Sequence, residues 1–305
     1  MDILNTIIPI FAIISLGWVA RQRQFLPEYF IGAANRLVFY FAIPAMIFRA
    51  IARSSFHERF NADVLFIGLF SMTAAYLLAW GLGWLLKLEK GRVGTFVQSS
   101  FHCNIGYMAF AVSYYFLGSD GFARAGMFAG FIIILQNFFS VIILSINNDK
   151  FKGKRIGLVL ITQIMFNPVI IASATGIFFS LYSITLPVII TRSLDILGGM
   201  GLPMALLIIG ASLSFHTMKT HITLVAVTSF IKLILLPGFA FTICYLTHIS
   251  RVEYLPLLII LASPTATITY VMAGEMNGDK DFAAAAISIN TVISALTFIF
   301  WLNLA

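Results

Sequence analysis

The chain has 305 residues, 60% of them hydrophobic and 10% charged, with a formal net charge of +7 and a mean hydropathy of +0.97. Such a composition cannot cover a soluble globule with polar surface, so it specifies an all-α integral membrane protein. The surplus of Lys and Arg does not point to nucleic acid, because these residues sit mostly at the ends of apolar stretches, where topology and anionic lipid account for them.

Hydropathy predicts ten transmembrane helices. Five lie at 3–20, 30–52, 64–86, 94–117 and 122–146, and five more at 156–181, 193–215, 222–247, 254–275 and 282–302. The first is preceded by Asp2 rather than a basic region and runs directly into Arg21-Gln22-Arg23, so it is read as a span and not as a signal peptide. Residues 1–146 then form one five-helix unit, 147–155 a basic linker, and 156–305 a second unit.

The two units repeat. Pro9 and Pro168, Gly17 and Gly176, and Pro44 and Pro203 stand 159 residues apart, and Pro27 with Pro187 and Gly118 with Gly278 stand 160 apart. Helix breakers are tolerated in a membrane only for a reason, so their recurrence predicts two copies of one unit. Five spans per copy is an odd number, so the second copy enters from the opposite side and the repeats are inverted. Twelve Lys and Arg fall on the side of Arg21, Lys87 and the linker, against six on the side of Arg49 and Arg124. The positive-inside bias then places the linker in the cytoplasm and both termini outside it, in a multi-pass plasma (inner) membrane protein.

Span four reads Gln98-Ser-Ser-Phe-His-Cys-Asn-Ile-Gly-Tyr107, and its mate, span nine, reads Leu261-Ala-Ser-Pro-Thr-Ala-Thr-Ile-Thr-Tyr270. Asn104 maps to Ser263 and Gly106 to Thr265, so small polar residues and a breaker recur at one depth. An unpaired backbone group in lipid costs several kcal/mol, about 2–7 in model transfers, so such sequence belongs where it lines a cavity or is buried in protein. If both spans unwind, half-helices starting near Ile105 and Thr265 point free N–H groups and positive dipole ends at one place. The candidate anion site comprises Asn104, Ile105, Gly106, Ser263, Pro264, Thr265 and Thr267. The competing reading is packing, with Ser and Thr hydroxyls bonded to their own i−4 carbonyls.

Charges inside spans are functional candidates by default. Lys232, amid Phe230, Ile231, Leu233 and Ile234, either neutralises an anionic substrate, pairs with an acid, or extends its ammonium to the interface. Asp195 and Glu275 carry a coupling proton if burial raises their pKa, and are otherwise solvated carboxylates near span ends. His102 either gates or titrates, or hydrogen-bonds a neighbouring carbonyl. Thr269 joins Thr265 and Thr267 as a source of oxygens for sodium. The coupling ion in question is H+ or Na+, and no other cofactor is expected. Pro44 and Pro203 kink equivalent helices. Cys103 and Cys244 have neither metal-site nor disulfide spacing, so no metal is expected.

Five stretches carry a family resemblance in order along all ten spans. They are Leu37-Val-Phe-Tyr-Phe-Ala-Ile-Pro-Ala-Met-Ile-Phe48, Asn104-Ile-Gly-Tyr107, Asn167-Pro-Val-Ile-Ile-Ala172, Gly201-Leu-Pro-Met-Ala-Leu-Leu-Ile-Ile-Gly-Ala-Ser-Leu213 and Ala262-Ser-Pro-Thr-Ala-Thr267. Together they resemble the auxin efflux carrier family. The resemblance implies a secondary transporter whose broken helices four and nine cross at the substrate site. It implies a scaffold bundle of spans 1, 2, 6 and 7, a transport bundle of spans 3–5 and 8–10, and a homodimer through the scaffold. Bacterial members resemble carriers of malonate and malate, and plant members export auxin, so a small carboxylate is the expected substrate. One departure is that Ala109-Phe110-Ala111 stands where the family often has Gly-Xaa-Pro, so a break in span four rests on Asn104 and Gly106.

No catalytic motif is present: there is no His-Glu-Xaa-Xaa-His, Gly-Xaa-Ser-Xaa-Gly or phosphate-binding glycine loop, and the chain is not read as an enzyme. An anion channel or a ligand-sensing membrane protein without transport is the alternative. A channel calls for a continuous polar stripe, whereas the polar residues here gather at one depth.

Overall fold

The computed structural model describes residues 3–146, 156–216 and 218–305, and the expected linker at 147–155 lies outside them. Among the described residues the chain is helical, with no strand beyond a single two-residue bridge. Apart from the single turn Phe56–Arg59, the helices in order are α1 (Ile3–Gln22), α2 (Glu28–Ala52), α3 (Ala62–Leu85), α4 (Lys90–Phe101), α5 (Ile105–Ile146) and α6 (Ile156–Met165). They continue with α7 (Pro168–Leu181), α8 (Val188–Ser212), α9 (His221–Leu246), α10 (Arg251–Ala262), α11 (Ile268–Glu275) and α12 (Lys280–Leu304).

Seven of these, α1, α2, α3, α5, α8, α9 and α12, are long and apolar enough to cross a membrane. The stretches expected as spans four, six and nine come instead as shorter helices on either side of a break. Span four divides between α4 and the start of α5, span six divides at Asn167-Pro168, and span nine divides between α10 and α11. The 42 residues of α5 therefore hold the end of one expected span and all of the next, turning at Gly118 with φ 70° and ψ −166°.

Left-handed backbone recurs at the repeat distance. Gln24 and Ser183 both have positive φ and stand 159 residues apart, as do Gly118 and Asn277, while Lys87 and His248 stand 161 apart. These pairs account for every positive φ among the described residues. After all but Gly118, the next N–H reaches back five residues to close the helix end: Phe25 to the Ala20 carbonyl, Leu88 to Gly83, Ile184 to Phe179, Ile249 to Cys244 and Gly278 to Ala273. That is the six-to-one bond of a left-handed helix cap. At the repeat distance the positive-φ partner of Gly118 is Asn277, the neighbour of the Gly278 that the sequence pairs with it. Asparagine is among the residues that adopt the left-handed conformation at small cost.

Prolines set the irregular turns. Helices α2 and α9 each widen by one residue over Val38–Ala42 and Ile231–Leu235, just before Pro44 and Pro237. A proline removes the bond to the carbonyl four residues back and its ring presses on that carbonyl, and a widened turn relieves both effects. The Leu233 carbonyl, which residue 237 would otherwise serve, instead accepts from Trp301 Nε1 at 2.8 Å. In α8 the irregular turn falls at Met200, so Pro203 is the third residue of the segment Gly201–Ser212, where its missing N–H is not needed.

Helix α1 packs on the second half of α8, where a Cβ built on Gly17 would lie 2.2 Å from the Leu207 carbonyl oxygen and one on Gly210 would lie 1.9 Å from that of Ile14. Two glycines on facing helices let the backbones touch, and dispersion replaces the hydrophobic effect as the attraction between helices in lipid. Helix α2 packs against α5, α7 and α8; α3, α4 and α10 also pack against α5, and α9 and α12 pack on α4 and α10 and on each other, α12 touching α1 as well.

Candidate functional site

The breaks after α4 and α10 meet. Cys103 and Thr265 form an antiparallel bridge, in which the Asn104 N–H donates to the Pro264 carbonyl at 2.9 Å and the Ala266 N–H donates to the His102 carbonyl at 3.0 Å. His102 and Ser263 adopt extended conformations directly after their helices. Leaving a helix frees backbone groups that lipid cannot satisfy, and here each break satisfies the other. His102, Cys103, Asn104, Ile105, Ser263, Pro264, Thr265 and Thr269 are all buried, and Gly106 and Thr267 are partly so.

Neighbouring helices hold the crossing. From α5, Gln136 accepts from the Cys103 N–H at 3.1 Å through Oε1 and donates to the Cys103 carbonyl at 3.4 Å through Nε2, acting as a peptide group would. Ser140, one turn on, donates to the Gln136 carbonyl and lies 2.8 Å from His102 Nδ1. His102 is therefore held by a hydroxyl rather than a carbonyl. From α12, Asn290 Nδ2 donates to Thr265 Oγ1 at 2.7 Å, and that hydroxyl donates to the Ser99 carbonyl at 2.7 Å. Gln136, Ser140 and Asn290 were not singled out in the sequence. Polar residues do recur along spans five and ten, at 136, 137 and 140 and at 290, 291 and 294, but nothing in the sequence says what they face.

The two half-helices differ in what they offer. At the start of α5, the N–H groups of Gly106, Tyr107 and Met108 make no backbone bond outside the helix among the described residues, and as first-turn donors they have no preceding turn to serve them. Asn104 Nδ2 is also buried and unpaired, and a Cβ on Gly106 would meet nothing within 4 Å. Donors, helix N-terminus and open space coincide there.

On the other side, the expectation of a half-helix beginning at Thr265 is corrected. Helix α11 begins at Ile268, and its first donors are spent locally, Thr269 on the Ala266 carbonyl and Tyr270 on that of Thr267. The hydroxyls of Ser263 and Thr265 are likewise engaged, Ser263 with the Ile260 carbonyl at 2.7 Å. The Thr269 hydroxyl is buried without a partner. The break comes early because Pro264 and the bridge hold 263–266 extended, and the chain needs Thr267 to re-enter a helix.

Lys232 is wholly buried and does not reach the interface. Its Nζ donates to the Leu261 carbonyl at 2.8 Å and lies close to the Cys103 thiol. No acid pairs with it among the described residues. Asp195 and Glu275 are both exposed, as in the reading of solvated carboxylates near span ends. Asp195 is ion-paired to Arg49, and Glu275 ends α11.

Asp195 lines a cavity of about 550 Å³ between α2, α5 and α8. Arg49, Arg53 and Arg59 border it, as do Asp120 and Pro203. Arg59 pairs with Asp120 at 2.6 Å. The crossing residues do not border this cavity, so the cavity and the free donors are separate features. We take the crossing as the candidate site, since unpaired buried donors call for a ligand.

Residues 2–302 match the family described as membrane transport protein. The chain is 25% identical over 305 residues to a Rhizobium meliloti (strain 1021) protein named "Putative malonate transporter", covering 97% of this chain and 93% of the relative. It is 26% identical over 316 residues to an uncharacterized transporter of Methanocaldococcus jannaschii, covering 98% and 97%. It is 21% identical over 307 residues to the uncharacterized transporter YfdV of Escherichia coli (strain K12), covering 98% and 96%. Family match and relatives agree over nearly the whole chain, which is a multi-pass membrane protein belonging to the auxin efflux carrier-like family of membrane transporters.

Proposed function

We propose that the chain is a secondary transporter that moves a small carboxylate, malonate or malate in size, across the inner membrane by alternating access. The observation that carries the reading is the start of α5. There the Asn104 amide and the N–H groups of Gly106, Tyr107 and Met108 lack acceptors beside open space. A carboxylate supplies the missing acceptors, and the positive end of a helix dipole favours its charge. The malonate in the name of the Rhizobium meliloti relative points to the same class.

In this reading the ten spans form two inverted repeats, supported by the pairing of positive-φ residues at 159 to 161. Spans 1, 2, 6 and 7 make the scaffold, supported by the tight seat of α1 on α8 and of α2 on α7. Spans 3–5 and 8–10 carry the crossing. The basin with Arg49, Arg53 and Arg59 is the outer vestibule, and its arginines raise the local concentration of anions before they reach the crossing. Both termini lie outside the cytoplasm, in keeping with the distribution of Lys and Arg.

The test is uptake of radiolabelled malonate and malate into proteoliposomes by the wild type and Asn104→Ala. Saturable uptake by the wild type that the variant loses, with its folding intact, supports the reading. Equal uptake by both removes Asn104 from the site.

A further inference from the structure

We propose that Lys232 is the built-in counter-cation of the transported anion, loaded by a proton taken from water rather than by a sodium ion. The inference deepens the carboxylate reading above and rests on it.

Lys232 lies in the widened turn Ile231–Leu235 that Pro237 imposes on α9, so its position follows from the proline. Its Nζ donates to the carbonyl of Leu261, in the last turn of α10, where the half-helix ends and its dipole is negative. In transporters with broken helices, such a carbonyl end is where a coupling cation sits. Here a tethered amine occupies it, leaving no vacancy for sodium.

Lys232 Nζ has no ion-pair partner among the described residues. Its titratable neighbours are Cys103 and His102, both on the crossing strand. From α3, α4, α10 and α12, which also pack on the widened turn, no carboxylate among the described residues is ion-paired to it. A buried unpaired charge is costly, whereas a neutral amine is not. Cys103, against Lys232, precedes Asn104 directly, and the Leu261 carbonyl that Lys232 holds lies three residues before Pro264, whose carbonyl accepts from the Asn104 N–H. Lys232 thus sits beside the crossing that carries the anion site, in a poorly polarisable interior where its charge acts on a carboxylate bound there.

Charge then balances. With the site empty, Lys232 is a neutral amine. When a carboxylate binds at Asn104, the amine takes one proton from whichever compartment the site faces, and anion and proton cross together. Sodium takes no part.

The experiment measures proton uptake on adding malonate to purified protein in weak buffer, for the wild type, Lys232→Met and Lys232→Arg. The wild type is expected to take up about one proton per malonate bound, with affinity falling as pH rises. Lys232→Arg, permanently charged, binds with no proton uptake, and Lys232→Met loses at least tenfold in affinity. Proton uptake unchanged in both variants overturns the proposal and leaves the carboxylate reading standing. Wild-type binding without proton uptake, or strengthened by sodium, does the same and needs no variant to fold. Absence of any malonate or malate binding by the wild type overturns both.

Discussion

The Asn104 N–H donates to the Pro264 carbonyl at 2.9 Å, joining two segments 160 residues apart at the one place where both have left their helices. With the backbone of Asn104 so engaged, its side-chain amide is left buried with its nitrogen unpaired. A residue whose main chain fixes the fold and whose side chain awaits a partner is well suited to bind without being rebuilt.

Asn104→Ala is expected to weaken carboxylate binding by about 10- to 100-fold, the worth of a hydrogen bond to a charged group at about 1.5–3 kcal/mol. Asn104→Asp is expected to weaken it further by placing like charge against the anion. Equilibrium binding of radiolabelled malonate, with thermal unfolding as a check on the fold, measures both.

Gln136→Leu removes both bonds to the backbone of Cys103 and leaves a buried N–H without an acceptor. The expected loss is about 1–3 kcal/mol of stability. Thermal unfolding in detergent reads it, and an unshifted transition would show that the crossing holds itself.

Gly210→Ala drives a Cβ into the Ile14 carbonyl and is expected to cost about 1–3 kcal/mol or more by overpacking. Gly32→Ala, where a Cβ meets nothing within 4 Å, serves as the control. If both variants melt together, the seat of α1 on α8 is not as tight as described.

Gly118 has φ 70° and ψ −166°, a region open almost only to glycine, whereas Asn277 has φ 49°. Gly118→Ala is expected to lose about 1–3 kcal/mol and Asn277→Gly to change stability by only a few tenths of a kcal/mol. The same unfolding assay separates the two turns.

The sequence disclosed what depends on local chemistry. Apolar runs marked the long helices, and Pro264, with Asn104 beside Gly106, marked the two breaks, because these residues conflict with a helix wherever they stand. The bridge between the breaks and its supports were not legible. Gln136 and Asn290 read as ordinary polar residues until folding brings them to Cys103 and Thr265 from other helices. For Asp195 the sequence left a proton carrier and a solvated carboxylate both open, because nothing in its own segment shows that Arg49, 146 residues away, meets it at an exposed site. For Ser263 and Thr265 it left ligand contact and packing open, since their acceptors, the Ile260 and Ser99 carbonyls, depend on where each helix ends. Lys232 was visible as a charge in a span, but its direction follows from Pro237, whose effect on the turn before it was not drawn.

The central claim is that an anion binds where α4 and α10 break, at the start of α5. A cryo-electron microscopy map of the protein saturated with malonate tests it most directly. The account predicts density within hydrogen-bonding distance of Asn104 Nδ2 and the Gly106 N–H. Density confined to the basin of Arg49, Arg53 and Arg59, with the crossing empty, would contradict it.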